Sequence, residues 1–165
     1  MREKLHFVIV GTGVDLDAMG LPASLKGDIY LPESGPEPEN RIGRYSEDVQ
    51  PILDPDLRGT IGVSRLELPG GAIITENYSR IAGATPDGAI LVRSAGRVTG
   101  GEGRFQSARG RISTESRVRL QPFQMRTDLT LDLGPASGAG SRSRRRARAR
   151  SSTRWRRGSH PLASW

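Results

Sequence analysis

The chain has 165 residues, 35% of them hydrophobic and 26% charged, with 21 glycines, 11 prolines and a formal net charge of +7. A domain of this length buries roughly two thirds of the surface its unfolded chain exposes, so a single core suffices without a metal or a disulfide. The absence of cysteine excludes a thiol nucleophile, a thiolate zinc site and a redox dithiol, and two histidines, His6 and His160, leave little for a catalytic triad or a histidine metal cluster.

The charge divides at Gly134. Residues 134–165 hold nine arginines and no acidic residue, which leaves 16 of the 25 basic groups against all 18 acidic groups in residues 1–133. The body is therefore nearly neutral, and the basic balance belongs to a tail. No stretch approaches the roughly 20 apolar residues of a membrane helix. The apolar run Leu5–Val10 is interrupted by His6 and lacks a small-residue cleavage pattern, so it reads as a first strand and the expected location is cytoplasmic.

In chain order, Leu5–Val10 places Leu5, Phe7 and Ile9 on one parity and His6 on the other. Gly11–Ser24 reads as a long connection, Leu25–Leu31 as the second strand, Pro32–Asn40 as another long connection and Arg41–Gln50 as the third strand. The two connections are either a cover for a barrel mouth or plain loops, and Tyr30 and Tyr45 beside them are candidates to flank that mouth. Thr60–Leu68 and Ala72–Ile81 form a hairpin about Leu68-Pro69-Gly70-Gly71, which sets Leu66 opposite Ile73, Ser64 opposite Thr75 and Gly62 opposite Asn77. One face of this hairpin is then Gly62, Ser64, Leu66, Leu68, Ile73, Thr75, Asn77, Ser79 and Ile81. The other carries Arg65, Glu67, Glu76, Tyr78 and Arg80 with Ile61, Val63 and Ile74.

Ala89–Thr99, Arg111–Leu120 and Phe123–Leu133 complete the set. Phe123, Met125, Leu129, Leu131 and Leu133 alternate with Gln124, Arg126, Asp128 and Asp132. Eight strands with one apolar and one charged face, at regular spacing and without helices between them, predict an all-β fold: an eight-stranded antiparallel β-barrel over residues 1–133, whose closure removes exposed edges. Residues 134–165, rich in Arg, Ser and Gly without apolar periodicity, are expected to be a disordered tail. It is either a nucleic-acid or acidic-surface arm with Trp155 as a stacking residue, or an extension without function, and nucleic acid is the less favoured partner.

Gly100-Gly-Glu-Gly-Arg-Phe-Gln-Ser-Ala-Arg-Gly110 carries three glycines in four positions but lacks the Gly-Lys-Ser/Thr ending and the following helix of a phosphate loop. It resembles the Gly-Gly-x-Gly-x-Phe-x-x-Ala-x-Gly corner of the dirigent and allene oxide cyclase barrel families. Arg41-Ile-Gly-Arg-Tyr45, Leu66-Glu-Leu-Pro-Gly-Gly-Ala72 and Gly83-Ala-Thr-Pro-Asp-Gly88 follow the order those families use, and the resemblance spans Leu5 to Leu133. It implies a calycin-type barrel whose cavity holds a flexible hydrophobic small molecule, without cofactor or metal, and guides its ring closure. Bacterial barrels similar to these act as natural-product cyclases, including [4+2] cyclases of polyketides. Confinement of two reacting ends as a near-attack conformer supplies much of such a rate. The glutamate that the plant cyclases carry on the first strand has no counterpart in Leu5–Val10, so allene oxide is not the expected substrate.

The residues supply candidates of their own. The small, polar face of the hairpin predicts luminal space, with Asn77 orienting a carbonyl or enol oxygen and Ser64, Thr75 and Ser79 lining the substrate site. Asn77 is equally readable as a buried amide satisfied by neighbouring hydroxyls. Glu76 and Tyr78 are catalytic candidates if their parity faces inward; facing outward, the same Glu and Arg alternation makes a cross-strand ion-pair ladder. His6 is a weaker substrate-binding candidate, since a histidine titrating near neutrality serves as an acid. A lipocalin-like binder without catalysis is the alternative function, and outward Ile61, Val63 and Ile74 are consistent with a homo-oligomer.

Overall fold

A computed structural model describes residues 2–52 and 59–134. The expected Arg-rich tail, Trp155 included, lies outside the described residues from position 135 onward. The strands are β1 (Glu3–Leu16), β2 (Pro22–Tyr30), β3 (Gly43–Pro51), β4 (Thr60–Leu68), β5 (Gly71–Ala84), β6 (Ile90–Gly103), β7 (Gly110–Leu120) and β8 (Phe123–Leu133). Each pairs antiparallel with its neighbour in sequence, and β8 returns to β1, so the sheet is a closed eight-stranded barrel. Among the described residues no helix is long and apolar enough to cross a membrane.

The central hairpin has the predicted register: Leu66 opposite Ile73, Ser64 opposite Thr75 and Gly62 opposite Asn77. Pro69 and Gly70 make its turn, and Gly70 takes a φ of 89°, which a residue with a Cβ adopts only with strain. Leu66, Ile73, Ser64 and Thr75 are wholly inaccessible to solvent, whereas Ile61 and Val63 are about half exposed on the outer face. Ile81 departs from the expected inner face. It lies beyond Ser79, the last partner of β4 on β5, and pairs only with Val92 of β6 at the rim, where it is 70% exposed.

Gly11–Ser24 is corrected from a long connection to structured sheet. β1 runs on to Leu16 and β2 begins at Pro22, with register shifts at Gly11/Gly13 and Asp15/Leu16 that let the two long strands bend. Only a tight turn remains, in which Asp17 accepts the backbone N–H groups of Met19 and Leu21 at 2.8 and 2.9 Å. Pro32–Asn40 is a true connection, ending in a 3-10 turn over Pro38–Asn40.

The two ends of the barrel differ. At the base, the Leu31–Ile42 connection, the Pro69–Gly70 turn and the glycine-rich corner come together. In that corner, bonds from the N–H of Phe105 to the carbonyl of Glu102 and from Ala108 to Phe105 form a single turn. Phe105 is thereby buried in one cluster with Leu68, Ile73, Val98, Ile112, Leu131 and Leu133. The mouth is bounded by the Asp17–Leu21, Thr85–Ala89 and Gln121–Pro122 turns.

Candidate functional site

Inward side chains change character from base to mouth along β4, β5, β7 and β8. On β4, Leu68 and Leu66 give way to Ser64; on β5, Ile73 is followed by Thr75, Asn77 and Ser79. Ile112 precedes Thr114 and Ser116 on β7, and on β8 Leu131 and Leu129 precede Thr127. The base is therefore an apolar plug and the middle of the barrel a polar layer. Ser64, Thr75, Asn77, Thr114 and Thr127 in that layer are buried, while Ser79, Ser94 and Ser116 nearer the mouth are half-buried.

The centre of the polar layer is Glu47 on β3, 9% exposed. Its carboxylate accepts a hydrogen bond of 2.7 Å from the Tyr45 hydroxyl. Tyr45 also lies 3.1 Å from Ser64 Oγ, to which Asn77 Nδ2 donates at 2.7 Å, and Thr75 Oγ1 donates to Asn77 Oδ1 at 3.2 Å. Among the described residues no buried side-chain polar atom lacks a partner. Burial raises the Glu47 carboxyl above the ordinary carboxylate range, while hydrogen bonds from Tyr45, Asn77 and Ser64 oppose that rise. Burial, reinforced by the adjacent Glu47 carboxylate, pushes the Tyr45 phenol well above its usual value.

Gly62 is small for a definite reason: a methyl group there would overlap the Glu47 carboxylate oxygen. The expectation of free space along Gly62, Ser64 and Asn77 is corrected accordingly, because the Glu47 side chain occupies it. Glu47 was legible in the sequence. Tyr45, Glu47 and Val49 share one strand parity, so a carboxylate on the face of Tyr45 and Val49 points inward.

Of the predicted site residues, Ser64, Thr75, Asn77 and Tyr45 come together around Glu47. Ser79 lies nearer the mouth, paired with Ser94 at 2.7 Å. Glu76 and Tyr78 do not join them. Both are on the outer face, where Glu76 accepts Arg97 at 2.6 Å and Tyr78 is 39% exposed, so neither reaches the lumen. Arg65 belongs to the same outer ladder, with Glu102 at 2.7 Å and Glu67 at 3.3 Å. His6 also faces outward, its Nδ1 3.0 Å from Thr130 Oγ1. It borders a groove of about 560 Å³ that runs along the outside with Leu31, Pro32 and Glu33. Tyr30 is buried, but on the parity of Asp28 and opposite Val8, away from the Glu47 network. Among the described residues no group of three or more His, Cys, Asp or Glu is placed to hold a metal ion.

Fold and site together define a closed eight-stranded antiparallel barrel with an apolar base and a buried carboxylate at its centre. No protein-family model matches the chain, and no curated protein does. Among solved structures it is similar to one described as pyocyanin demethylase, with a TM-score of 0.56 and 14% sequence identity over 80% of this chain and 100% of that one. At that identity the likeness establishes the barrel fold.

Proposed function

We propose that the chain converts a small, largely apolar molecule bearing a carbonyl or enol oxygen. The substrate enters by the mouth and reacts against the polar layer, as in a cofactor-independent cyclase or isomerase resembling the allene oxide cyclase and dirigent barrels. The observation that carries this reading is the buried Glu47 network. A carboxyl raised by burial keeps its proton to a higher pH than an ordinary glutamate, which suits it to exchange a proton with a substrate atom. Tyr45 and Ser64 fix its orientation, and the Asn77 amide, bonded to Ser64 and Thr75, braces the same network. The apolar base limits how deep a ligand descends, so a flexible chain is folded back on itself and its reacting ends are held together. The similar solved barrel is named for an action on a small molecule, pyocyanin, which accords with chemistry inside such a barrel.

The test is to incubate linear polyene precursors carrying a terminal carbonyl with and without the protein and to measure product ratio and rate. Conversion with altered product ratio is expected, and Glu47→Gln is expected to slow it by about 10²–10⁴-fold, the usual contribution of a positioned acid–base group. Binding with an unchanged product ratio would overturn the enzyme reading in favour of a lipocalin-like carrier.

A further inference from the structure

We infer that the outer rim of the barrel between β7 and β8 is a binding site for a small phosphate-bearing ligand, held by Arg117, Arg119 and Arg126. These side chains line a depression of about 220 Å³ together with Asp87, Gln124 and Met125. Arg117 lies directly opposite Arg126 in the antiparallel pair, and Arg119 opposite Gln124. Like charges facing each other across strands destabilise a sheet, so folding alone gives no reason for the pairing. Asp87, in the turn between β5 and β6, reaches only two of the three arginines, with Arg117 Nη2 at 2.6 Å and Arg119 Nη2 at 2.8 Å. The next carboxylate along β7, Glu115, is engaged by Arg93 at 3.1 Å, and among the described residues no ion pair reaches Arg126. Asp128, one outward position along β8, faces Glu115 and Val8 rather than the depression.

The arrangement is a pre-set fork. Asp87 fixes two guanidinium groups, one of them only 31% exposed, while a third, without an ion pair among the described residues, stands across the strand. Three guanidinium groups against one carboxylate leave an excess of two positive charges, which matches a phosphate of about −2 better than a carboxylate of −1. The depression is larger than a phosphate group and leaves room for an attached small organic moiety. Its three arginines stand on the outward parity of β7 and β8, away from the Glu47 network, so this site stands independently of the function proposed for Glu47.

The test is a titration of the full-length protein with inorganic phosphate at constant ionic strength. The arginine Nε–Hε and Gln124 side-chain amide resonances are followed by NMR, a residue-resolved readout that separates this site from the nine arginines between positions 142 and 157. Saturable shifts confined to Arg117, Arg119, Arg126 and Gln124 are expected, with acetate at least about tenfold weaker, as the loss of charge-assisted bonds dictates. Arg126→Ala, a change at an exposed side chain, is expected to weaken phosphate binding by about tenfold, and Arg44→Ala on β3 to leave it unchanged. Equal responses to phosphate and acetate, unsaturable shifts, or undiminished binding by R126A would overturn the site. Glycerol phosphate is expected to reproduce the shifts. Co-sedimentation with phosphatidic acid vesicles that is lost in R126A would assign the site to a membrane surface and overturn the small-ligand reading.

Discussion

Glu47 is a carboxyl group in a layer of hydroxyl and amide side chains, and its burial sets the sign of its contribution to stability. Its folded-state proton affinity is raised, so the unfolded chain releases the proton at a lower pH than the folded chain does. Stability is unaffected below the unfolded value, falls as pH rises between the two values, and stays reduced above the folded one. The urea midpoint is therefore expected to decline as pH rises above about 4, the ordinary glutamate value. Glu47→Gln keeps an acceptor for the Tyr45 hydroxyl and is expected to flatten that decline. A decline of the same depth in E47Q would show that another group is responsible. The residue was readable from its strand parity alone, but its neighbours were not: Tyr45 and Glu47 are two positions apart in the chain, whereas Asn77 arrives from 30 residues away through the pairing of β3, β4 and β5.

At the level of elements, the β4–β5 hairpin shows how far local chemistry reaches. Proline followed by glycine sets both the turn and the register, and the luminal set Ser64, Thr75 and Asn77 follows from them. Gly70→Ala forces a Cβ into a left-handed conformation and brings it to 3.0 Å from Arg104 Cδ. It is expected to cost about 1–2 kcal/mol in chemical denaturation, with the fold retained. No loss would mean that the turn relaxes to another type. The same alternation set Glu76 and Tyr78 on one face but left its direction open, and the closed barrel turns that face outward. Extension of β1 to Leu16 was less legible: Gly11, Gly13 and the acidic residues of Gly11–Ser24 read as loop, yet in the barrel Gly11 lets neighbouring side chains pack close. A methyl at Gly11 would collide with Met125 and Phe123. Tertiary packing overrode a weak local preference.

For the whole molecule, closure is the decisive event. β1 and β8 join residues more than 110 positions apart, with Leu5 opposite Leu131 and Phe7 opposite Leu129. Leu131 is wholly inaccessible and faces Ile112 as well, so Leu131→Ala is expected to cost about 2–5 kcal/mol, the range for emptying a packed core site. Its thermal unfolding should remain a single transition, because one cluster runs from β1 to β8; separate transitions would mean that the seam opens independently of the plug. Periodicity determined the strands, the faces of the central hairpin and, through the number of edges to be removed, the barrel itself, because alternation and turn chemistry are local properties of a chain. The division of the lumen into plug and polar layer and the carboxylate that fills the space beside Gly62 were decided only by tertiary structure. Each depends on how strands distant in sequence are staggered around a closed sheet, and no short window of residues carries that stagger.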